Sequence, residues 1–436
     1  MRSGDTIFAT ASGYGRAAVC LIRISGSESR TILERMAGVL PQPRRAALKV
    51  LRDPSSGEPL DQALVLWMPG PNSFTGEDQA ELHIHGGLAT RAAVLRSLSS
   101  FENCRAAEAG EFTRRAFLNG RMDLAQVEGL ADIIDAETEA QRRQAMLQLE
   151  GRLGDASERW RENILLVLAL LEASLDFSDE GDVPEDLEAD ILRRLGLLEK
   201  ELAKVLENRS GERLREGLTV VLAGPPNAGK STLLNALARR DVAIVSPIAG
   251  TTRDLIEVHC DLGGLPVVIV DTAGLRESGD LIEQEGVARA RARAGAADLV
   301  LWLIPPEGPV TEPPSARRVL RVGTKADLDR GRPGCDLLIS AASGEGIPEL
   351  IRRLEEEAEA ALGQADAIVT RERHRKAVER AHLSLVGARK MLESGGPVEL
   401  AAEEVRLASR AVGEITGRVD VEHVLDRLFS SFCIGK

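Results

Sequence analysis

The pattern of apolar and polar positions divides the chain into segments of different character. Before about residue 118, short apolar runs such as Val19–Ser25 and Ala63–Pro69 predict strands separated by turns. The segment AELHIHGG alternates, which predicts a strand with one apolar and one polar face. The polar face carries Glu81, His83 and His85. We therefore expect a mixed α+β domain over residues 1–118.

Longer helical stretches follow this domain. Residues Leu124–Gln148 and Ala156–Leu175 carry Leu, Ile, Val and Ala at three- and four-residue spacing, which predicts two amphipathic helices. Another helix is expected to reach about Asn208. The intervening stretch Asp176–Asp190 contains eight acidic residues and no basic one, a pattern typical of a solvated linker. These elements place the first part of a helical domain at residues 119–213.

From Leu218 onwards, apolar strands alternate with helices, which is typical of a doubly wound parallel sheet. The expected strands are Leu218–Gly224, Val267–Val270, Asp298–Ile304, Val319–Val322 and Leu337–Ser340. After Gly363 the pattern is helical again as far as the terminal FCIGK. The sequence therefore predicts a multidomain protein of the α/β and α classes. In it, a doubly wound domain over residues 214–363 is inserted into a helical domain over residues 119–213 and 364–436.

The amino-acid composition argues against several classes of protein. Aromatic residues are only 3% of the chain, so the cores are expected to be aliphatic. The chain has 55 Lys plus Arg against 68 Asp plus Glu, a net charge of −13, which argues against a general binder of DNA or other nucleic-acid backbones. Five scattered cysteines without a CxxC pair support neither a disulfide framework nor a zinc ribbon. The longest apolar run, Ile164–Leu171, is far shorter than the roughly 18 residues of a membrane span. We expect a soluble, cytoplasmic protein without a membrane partner.

A phosphate-binding loop is predicted at Gly224–Ser231, where GPPNAGKS matches G-x-x-x-x-G-K-[ST] between a strand and a helix. Its glycines let backbone N–H groups surround an anion at the positive end of the helix. Lys230 is expected to reach the β- and γ-phosphates, and the Ser231 hydroxyl to bind Mg²⁺. The helix continues through Thr232.

Two further segments fit a triphosphate with Mg²⁺. Asp271 ends an apolar strand and begins Asp-Thr-Ala-Gly, so its carboxylate can hold Mg²⁺ through water, and the Gly274 N–H can contact the γ-phosphate. The loop Gly250–Asp254 contains two threonines. One Thr hydroxyl there can complete the Mg²⁺ shell only when the γ-phosphate is present, which predicts a switch.

The base is predicted to be guanine. In Thr324–Asp327, the Asp327 carboxylate can accept hydrogens from both N1 and the exocyclic amine of guanine, a pair that adenine lacks. Ser340, Ala341 and Ala342 follow the next strand, where a backbone N–H can reach guanine O6. Thr324 stands where the usual pattern has Asn, and it can make one of the hydrogen bonds that Asn makes.

The residues alone do not show which group positions the water that attacks the γ-phosphate. Many GTPases carry a Gln directly after the Gly of the Asp-x-x-Gly motif. In this chain the motif ends at Gly274, and the next residue is Leu275. Four downstream acids are candidates: Glu277, Asp280, Glu283 and Glu285.

The chain resembles the MnmE family of tRNA modification GTPases, also called TrmE, over its whole length and in the same order. The segments that carry the resemblance are GPPNAGKS, AGTTRD, DTAGLRE, PGPNSFTGED, AFLNGRMDLAQ and SSFCIGK. The resemblance implies an inserted P-loop GTPase domain, or G domain, that is activated by K⁺. Together with the motifs above, it assigns these residues to GTP: Asn227, Ala228, Gly229, Lys230, Ser231, Thr232, Ser246, Thr251, Thr252, Asp271, Thr272, Ala273, Gly274, Thr324, Lys325, Asp327, Ser340, Ala341 and Ala342.

The resemblance also implies the metal ligands and one catalytic acid. Ser231 and Thr252 match the Mg²⁺ ligands of the family. The positions that hold K⁺ are Asn227, Ser246, Ile248 and Thr251. A K⁺ there supplies the positive charge that an arginine finger supplies elsewhere. Glu283 falls on the family's catalytic acid, which acts together with Lys230 of the P-loop.

The resemblance implies a site for a tetrahydrofolate derivative in the N-terminal domain. Its ligand positions are Arg23, Glu81, Arg121 and Lys436. A carboxylate such as Glu81 suits the amino-pyrimidine edge of a pterin, and basic groups suit the glutamate tail. Relatives often carry Lys where this chain has Arg121, which keeps the charge but not the shape of the group.

The reaction implied by the family is modification of C5 of the wobble uridine in certain tRNAs, with methylene-tetrahydrofolate as the one-carbon donor. The implied assembly is a homodimer through the N-terminal domain that forms a heterotetramer with MnmG, an FAD-dependent partner. The alternatives are a regulatory or ribosome-assembly GTPase switch that associates with RNA, and a folate-binding module with an incidental nucleotide site. The basic stretch Arg371–His382 either contacts tRNA phosphate or forms an exposed helix face with paired charges; we favour the second interpretation.

Overall fold

The computed structural model describes the chain in two compact units. The described residues are 4–13, 15–176, 185–240, 242–244, 257–271, 297–307, 313, 318–329, 334–363, 367–419, 425, 428–430, 432 and 435. The first unit comprises Met1–Ala131 and Val412–Lys436, and the second comprises Asp132–Ala411.

The first unit is built on a six-stranded sheet with the order β3-β4-β5-β2-β1-β6, in which only the β1–β6 pair is parallel. Its strands are β1 (Thr6–Thr10), β2 (Ala17–Ser25), β3 (Ala47–Arg52), β4 (Pro59–Met68), β5 (Gln79–Gly86) and β6 (Cys104–Ala106). Its helices include α1 (Ser29–Ala37), α2 (Leu88–Ser99), α3 (Glu111–Leu118) and the start of α4 (Leu124–Asp135). The predicted mixed α+β domain is confirmed.

The two faces of this sheet differ. Ile22, Ile24, Leu82 and Ile84 point into a core that also contains apolar residues of α1 and α2. On the opposite face, Phe112 of α3 packs with residues of β1. The predicted alternation of β5 is confirmed, because Leu82 and Ile84 are buried while Glu81, His83 and His85 lie on the other face.

The second unit contains the predicted α/β sheet, with the order β12-β11-β10-β7-β9-β8. All neighbouring strands are parallel except β8 and β9, which form an antiparallel hairpin. The strands are β7 (Leu218–Ala223), β8 (Glu257–Leu262), β9 (Leu265–Asp271), β10 (Leu299–Ile304), β11 (Val319–Gly323) and β12 (Leu337–Leu338). The helices α9 (Lys230–Ala238) and α10 (Ile347–Leu362) pack on the sheet through an aliphatic core. The predicted fold class is confirmed.

The remaining helices of the second unit come before and after this sheet along the chain. They are α5 (Glu139–Leu149), α6 (Arg152–Asp176), α7 (Glu185–Glu207), α8 (Ser210–Glu216), α11 (Glu372–Glu393) and α12 (Val398–Thr416), the last of which runs on into the first unit. Within the described part of the chain, no helix is both long and apolar enough to cross a membrane.

Two predictions about the helices are wrong. The stretch Leu124–Gln148 is not one helix, because Thr138 and Gln141 form a capping box that starts α5 separately from α4. The acidic stretch Asp176–Asp190 is not a linker throughout, because α7 begins at Glu185.

The charges of the basic stretch are paired within the second unit. The Arg371 guanidinium lies 2.6 Å from an Asp132 carboxylate oxygen, and Arg375 lies 2.7 Å from Glu212. Arg375 also donates to the Leu206 carbonyl in the last turn of α7 and to the Asn208 carbonyl directly after it. These contacts support the interpretation of Arg371–His382 as a helix with paired charges.

The β8–β9 hairpin is attached to the N-terminal end of α5. The Ala140 N–H donates to the Gly264 carbonyl at 3.1 Å, and the His259 ring nitrogen Nδ1 lies 2.7 Å from a Glu137 carboxylate oxygen. A cleft of about 190 Å³ lies beside this attachment, with Asp135 among its lining residues. Burial raises the pKa of Asp135 above its ordinary value, and the neighbouring Asp132 carboxylate adds to the effect.

A buried ion-pair network stabilises the first unit around α3. The Glu111 side chain is only 3% exposed, and its oxygens accept hydrogen bonds from Arg105 at 2.7 and 2.9 Å and from Arg115 at 3.1 Å. Burial alone raises the pKa of Glu111, but the Arg105 hydrogen bonds, with smaller contributions from the Glu108 N–H and Arg115, outweigh it and lower that pKa. Arg115 also contacts Glu77, so the network ties α3 to the loop before β5.

We expect the Glu111→Gln variant to lose about 2–3 kcal/mol of unfolding free energy near neutral pH, because Arg105 and Arg115 each lose one of their charged partners. The folded-state pKa is lowered, so the carboxylate contributes stability above its unfolded pKa of about 4.3, and this contribution disappears as the pH falls through the folded value. Urea unfolding at a series of pH values should therefore show the gap between wild type and variant closing in acid.

The matched control is Glu34→Gln, which removes the carboxylate of an exposed ion pair with Arg30. That change should alter the unfolding free energy by less than about 1 kcal/mol. Equal effects of the two substitutions would contradict the proposed importance of the buried network.

Candidate functional site

The predicted P-loop connects β7 to α9 by a path that requires glycine at both ends. Gly224 has φ 149°, and a Cβ there would lie 2.5 Å from the Leu303 carbonyl oxygen on the neighbouring strand β10. Gly229, directly before α9, has φ 90°. Both conformations are rare for residues with a side chain. The loop therefore brings its backbone N–H groups to the N-terminus of α9, an arrangement that binds anions.

Ser231 and Asp271, the two residues predicted on either side of Mg²⁺, are in direct contact. The Ser231 hydroxyl donates a hydrogen bond of 2.7 Å to an Asp271 carboxylate oxygen. The pairing of β7 with β9 sets this distance, since Leu222 lies opposite Asp271 at the carboxyl ends of the two strands. Hard oxygen donors at a helix N-terminus are suitable ligands for Mg²⁺ and its water shell. The residues present therefore fit this ion.

Lys230 lies against the P-loop itself. Its ammonium group donates to the Gly224 and Pro225 carbonyls at 2.9 and 3.0 Å. The positive charge is thus held at the place where the motif predicts the β- and γ-phosphates. Asn227, the predicted K⁺ ligand, is exposed at the outer edge of the loop with φ 60°.

Thr324 connects the predicted base site to the P-loop. Its buried hydroxyl donates a hydrogen bond of 2.8 Å to the Ala228 carbonyl, and its N–H donates to the Ile304 carbonyl at the end of β10. The side chain therefore holds the end of β11 against the phosphate loop. The sequence indicated that Thr can replace one hydrogen bond of Asn, but it did not indicate that the partner is the P-loop.

The remaining base-site residues lie at the same end of the sheet. Asp327 is exposed, and the neighbouring Ala326 N–H donates to the Ile339 carbonyl, which joins this loop to the segment after β12. Lys325 has φ 57°. Ser340 is fully buried, while Ala341 is half-buried and Ala342 is exposed. An exposed carboxylate beside backbone N–H groups is suited to the hydrogen-bonding edge of a guanine.

Several predicted residues lie outside the described part of the chain. They are Ser246, Ile248, Thr251, Thr252, Thr272, Ala273, Gly274, Glu283 and Lys436. The K⁺-binding loop, the second Mg²⁺ ligand, the catalytic acid and the C-terminal folate ligand therefore stay predictions.

The N-terminal sheet brings together two of the predicted folate residues. Arg23 on β2 lies opposite Glu81 on β5, and the Arg23 Nε and Nη2 atoms lie 3.2 and 3.1 Å from the same oxygen, Glu81 Oε1. The Arg23 guanidinium also lies 5.3 Å from the Phe74 ring centroid and 5.8 Å from that of Phe112. These contacts fix a carboxylate beside aromatic rings on one face of the sheet.

Arg121, the third predicted folate residue, lies beside the loop that joins β4 to β5. A Cβ built on Gly76 of that loop would lie 3.3 Å from Arg121 Cγ, and the Asn119 amide donates to the Thr75 carbonyl at 2.7 Å. Gly435, next to the predicted ligand Lys436, packs so closely on Thr10 that a Cβ would lie 2.3 Å from its carbonyl oxygen. The Glu81 carboxylate, the partly exposed Phe74 ring and the Arg121 guanidinium are groups of the kinds that bind the polar edge, ring and acidic tail of a folate.

The sequence reasoning did not assign a role to three residues at this site. Phe74 and Phe112 contact the Arg23 guanidinium, and His83 lies next to Glu81 on β5. The alternation of β5 already placed His83 on the face of Glu81, so this neighbour carried a usable signal. The two phenylalanines are distant in sequence and come together only through the fold.

We expect Thr324→Val to weaken binding of a fluorescent GTP analogue by about threefold to tenfold, because the isosteric side chain leaves the Ala228 carbonyl without this donor. Thr324→Ser keeps the hydroxyl and should bind within about twofold of wild type. An equilibrium titration of both variants measures the effect. Wild-type affinity in the Val variant would show that the contact does not support the nucleotide site.

Comparisons with known proteins identify relatives that match this chain over nearly its whole length. The family model for the MnmE helical domain matches residues 124–433, and the model for the N-terminus of the GTP-binding protein TrmE matches residues 6–121. The tRNA modification GTPase MnmE of Methylobacterium sp. (strain 4-46) is 61% identical over 99% of this chain and 100% of its own length. The proteins of the same name from Methylorubrum populi and Methylobacterium radiotolerans are 58% and 55% identical, over 99% and 100% of this chain and 98% and 100% of their own lengths. The chain belongs to the MnmE family of tRNA modification GTPases.

Proposed function

We propose that this chain hydrolyses GTP with Mg²⁺ and K⁺ bound beside the triphosphate, as part of a complex that modifies tRNA in the cytoplasm. With an FAD-dependent partner of the MnmG type and a tetrahydrofolate one-carbon donor, the complex installs an aminomethyl-type group at C5 of the wobble uridine of certain tRNAs. The observation that carries the proposal is that one chain holds both the Ser231–Asp271 pair at a P-loop and the Arg23–Glu81 pair in a separate unit.

The residues of the P-loop account for binding of the triphosphate. The backbone N–H groups that follow Pro226 are the donors to its oxygens, and the Lys230 ammonium exchanges its carbonyl partners for the β- and γ-phosphates. The Ser231 hydroxyl and, through water, the Asp271 carboxylate hold Mg²⁺. Mg²⁺ and K⁺ supply positive charge that offsets the charge developing between the β- and γ-phosphates.

The proposed hydrolysis step uses groups outside the P-loop helix. Glu283 orients the attacking water, because Leu275 at the position of the usual Gln has no polar group. Asn227, together with Ser246, Ile248 and Thr251, holds K⁺. The exposed position of Asn227 supports this role, since an exposed side chain is accessible to an ion from solution.

Guanine selection is assigned to Asp327 and to the backbone after β12. The Asp327 carboxylate accepts two hydrogen bonds from the base, and the N–H groups of Ala341 and Ala342 are available to its carbonyl oxygen. Thr324 holds this site against the P-loop. Adenine would leave the carboxylate with unmatched acceptors, which disfavours ATP.

The N-terminal unit is assigned to folate binding and dimerisation. Glu81 binds the amino-pyrimidine edge of the pterin, and Arg121 together with Lys436 attracts the glutamate tail. Leu48 and Leu64 lie opposite each other on β3 and β4 and are 60% and 46% exposed. Apolar side chains paired on an open sheet face support a homodimer through this domain. The folate site distinguishes the proposal from a ribosome-assembly switch, which needs no one-carbon donor.

GTP turnover should be at least about tenfold faster in KCl than in NaCl at equal ionic strength, a difference of about 1.4 kcal/mol in the barrier. Na⁺ is smaller than K⁺ and fits a shell of backbone and amide oxygens built for the larger ion less well. Steady-state phosphate release measures the rates, and binding of a fluorescent GDP analogue in both salts is the control. Equal turnover in the two salts would rule out the proposed K⁺ mechanism.

Deletion of the gene should remove the C5 modification from wobble uridines, which nucleoside analysis of total tRNA detects by mass. Complementation with the wild-type chain should restore it, and a Lys230→Ala variant should not, because the phosphates lose their ammonium partner. Unchanged wobble uridines in the deletion strain would favour the regulatory or ribosome-assembly alternative.

A further inference from the structure

His83 occupies a distinctive position on the folate face of the N-terminal sheet. It lies two residues after Glu81 on β5 and therefore on the same face. Its cross-strand neighbours are Leu64 on β4 and Leu21 on β2, which are both apolar. The side chain is about one-third exposed, with a relative accessibility of 33%. Its ring is thus accessible to a molecule that lies on this face.

The two oxygens of Glu81 have different surroundings. Oε1 takes both contacts from Arg23, at 3.1 and 3.2 Å. Oε2 instead faces the His83 ring, with 3.6 Å between Oε2 and Nε2. This separation is longer than a hydrogen bond. Glu81 is therefore held from one side by Arg23, and the His83 ring flanks it on the other.

The His83 Nε2 atom is shielded from water, and it has no hydrogen-bond partner among the described residues. An unsatisfied buried nitrogen of this kind is unfavourable. Nε2 has to turn towards the open face to meet a ligand, and the His83 side chain is partly exposed. A ligand atom bound there would satisfy the nitrogen.

We propose that His83 binds the pterin by donating its Nε2–H to the carbonyl oxygen at position 4, while Glu81 accepts the two neighbouring donors. The pyrimidinone edge presents this oxygen beside a ring N–H and an amino group, which matches an imidazole N–H beside a carboxylate. The neutral Nε2–H tautomer is sufficient for the contact. This inference rests on the proposed binding of a tetrahydrofolate derivative.

His85 lies on the same face and, unlike His83, has a hydrogen-bond partner for its ring. Its Nδ1 lies 2.8 Å from an Asp61 oxygen, and its backbone N–H donates to the other Asp61 oxygen at 2.7 Å. It is two residues further along β5 and is mostly exposed. His85→Leu is therefore the matched control for His83→Leu, since both changes remove an imidazole from one strand face.

The test uses two ligands that differ at position 4 of the ring: tetrahydrofolate carries an oxygen there, and tetrahydroaminopterin carries an amino group, which also leaves N3 without its hydrogen. The change at N3 affects Glu81 equally in the wild type and in variants of His83, so the comparison between proteins isolates the contact at position 4. Anaerobic calorimetry with the full chain measures both affinities. His83→Leu should weaken tetrahydrofolate binding by about tenfold, because the carbonyl oxygen at position 4 of the pterin loses its hydrogen-bond donor. The wild-type preference for tetrahydrofolate over tetrahydroaminopterin should shrink by a similar factor in this variant.

The comparison variants separate this role from a structural one. His83→Gln retains an N–H donor and should bind tetrahydrofolate within about threefold of wild type, and His85→Leu should bind as wild type does. Equal loss of both ligands in His83→Leu, or no loss of either, would overturn the assignment of His83 while leaving folate binding intact. Failure of the wild-type chain to bind either ligand would overturn the proposed folate site as well.

Discussion

The register of parallel strands β7 and β9 is the constraint on which the nucleotide site depends. Because Leu222 lies opposite Asp271, the end of β9 comes to the same level as the loop that leads into α9. The Ser231 hydroxyl then meets the Asp271 carboxylate although the two residues are 40 positions apart. A shift of one residue in this register would turn the carboxylate to the other face of the sheet. Gly224 adds to the constraint because a side chain there would collide with β10.

Antiparallel register has the same role in the first unit. Arg23 and Glu81 face each other across β2 and β5, so the ion pair forms without any loop having to bring the groups together. The aromatic rings come from a loop and from α3, and the ion-pair network of Glu111 holds that helix in place. The site is therefore built on rigid elements, which favours a fixed orientation of a bound ring.

Much of this arrangement could be predicted from the sequence, because the decisive signals were local. Alternation predicted β5 and its polar face, and GPPNAGKS predicted the P-loop with Lys230 and Ser231 in place. The contact of Thr324 with Ala228 could not be predicted, since it joins segments 96 positions apart and depends on the packing of β11 against the phosphate loop. The break before α5 was missed although Thr138 and Gln141 have the spacing of a capping box, because the apolar periodicity continues across it. The role of Glu283 came only from the family resemblance, as four acids were equivalent on chemical grounds.

The attachment of the β8–β9 hairpin to α5 has a mechanical consequence. The hairpin follows directly after residues 245–256 and ends directly before residues 272–296, the two stretches that carry the predicted switch residues. Its far end is joined to α5 by the Ala140–Gly264 hydrogen bond and the Glu137–His259 pair. A hairpin is stiff along its strands, so a pull on β8 or β9 at the nucleotide end must either drag α5 along or break these two contacts. A movement of the switch stretches on GTP hydrolysis would in this way be transmitted to α5.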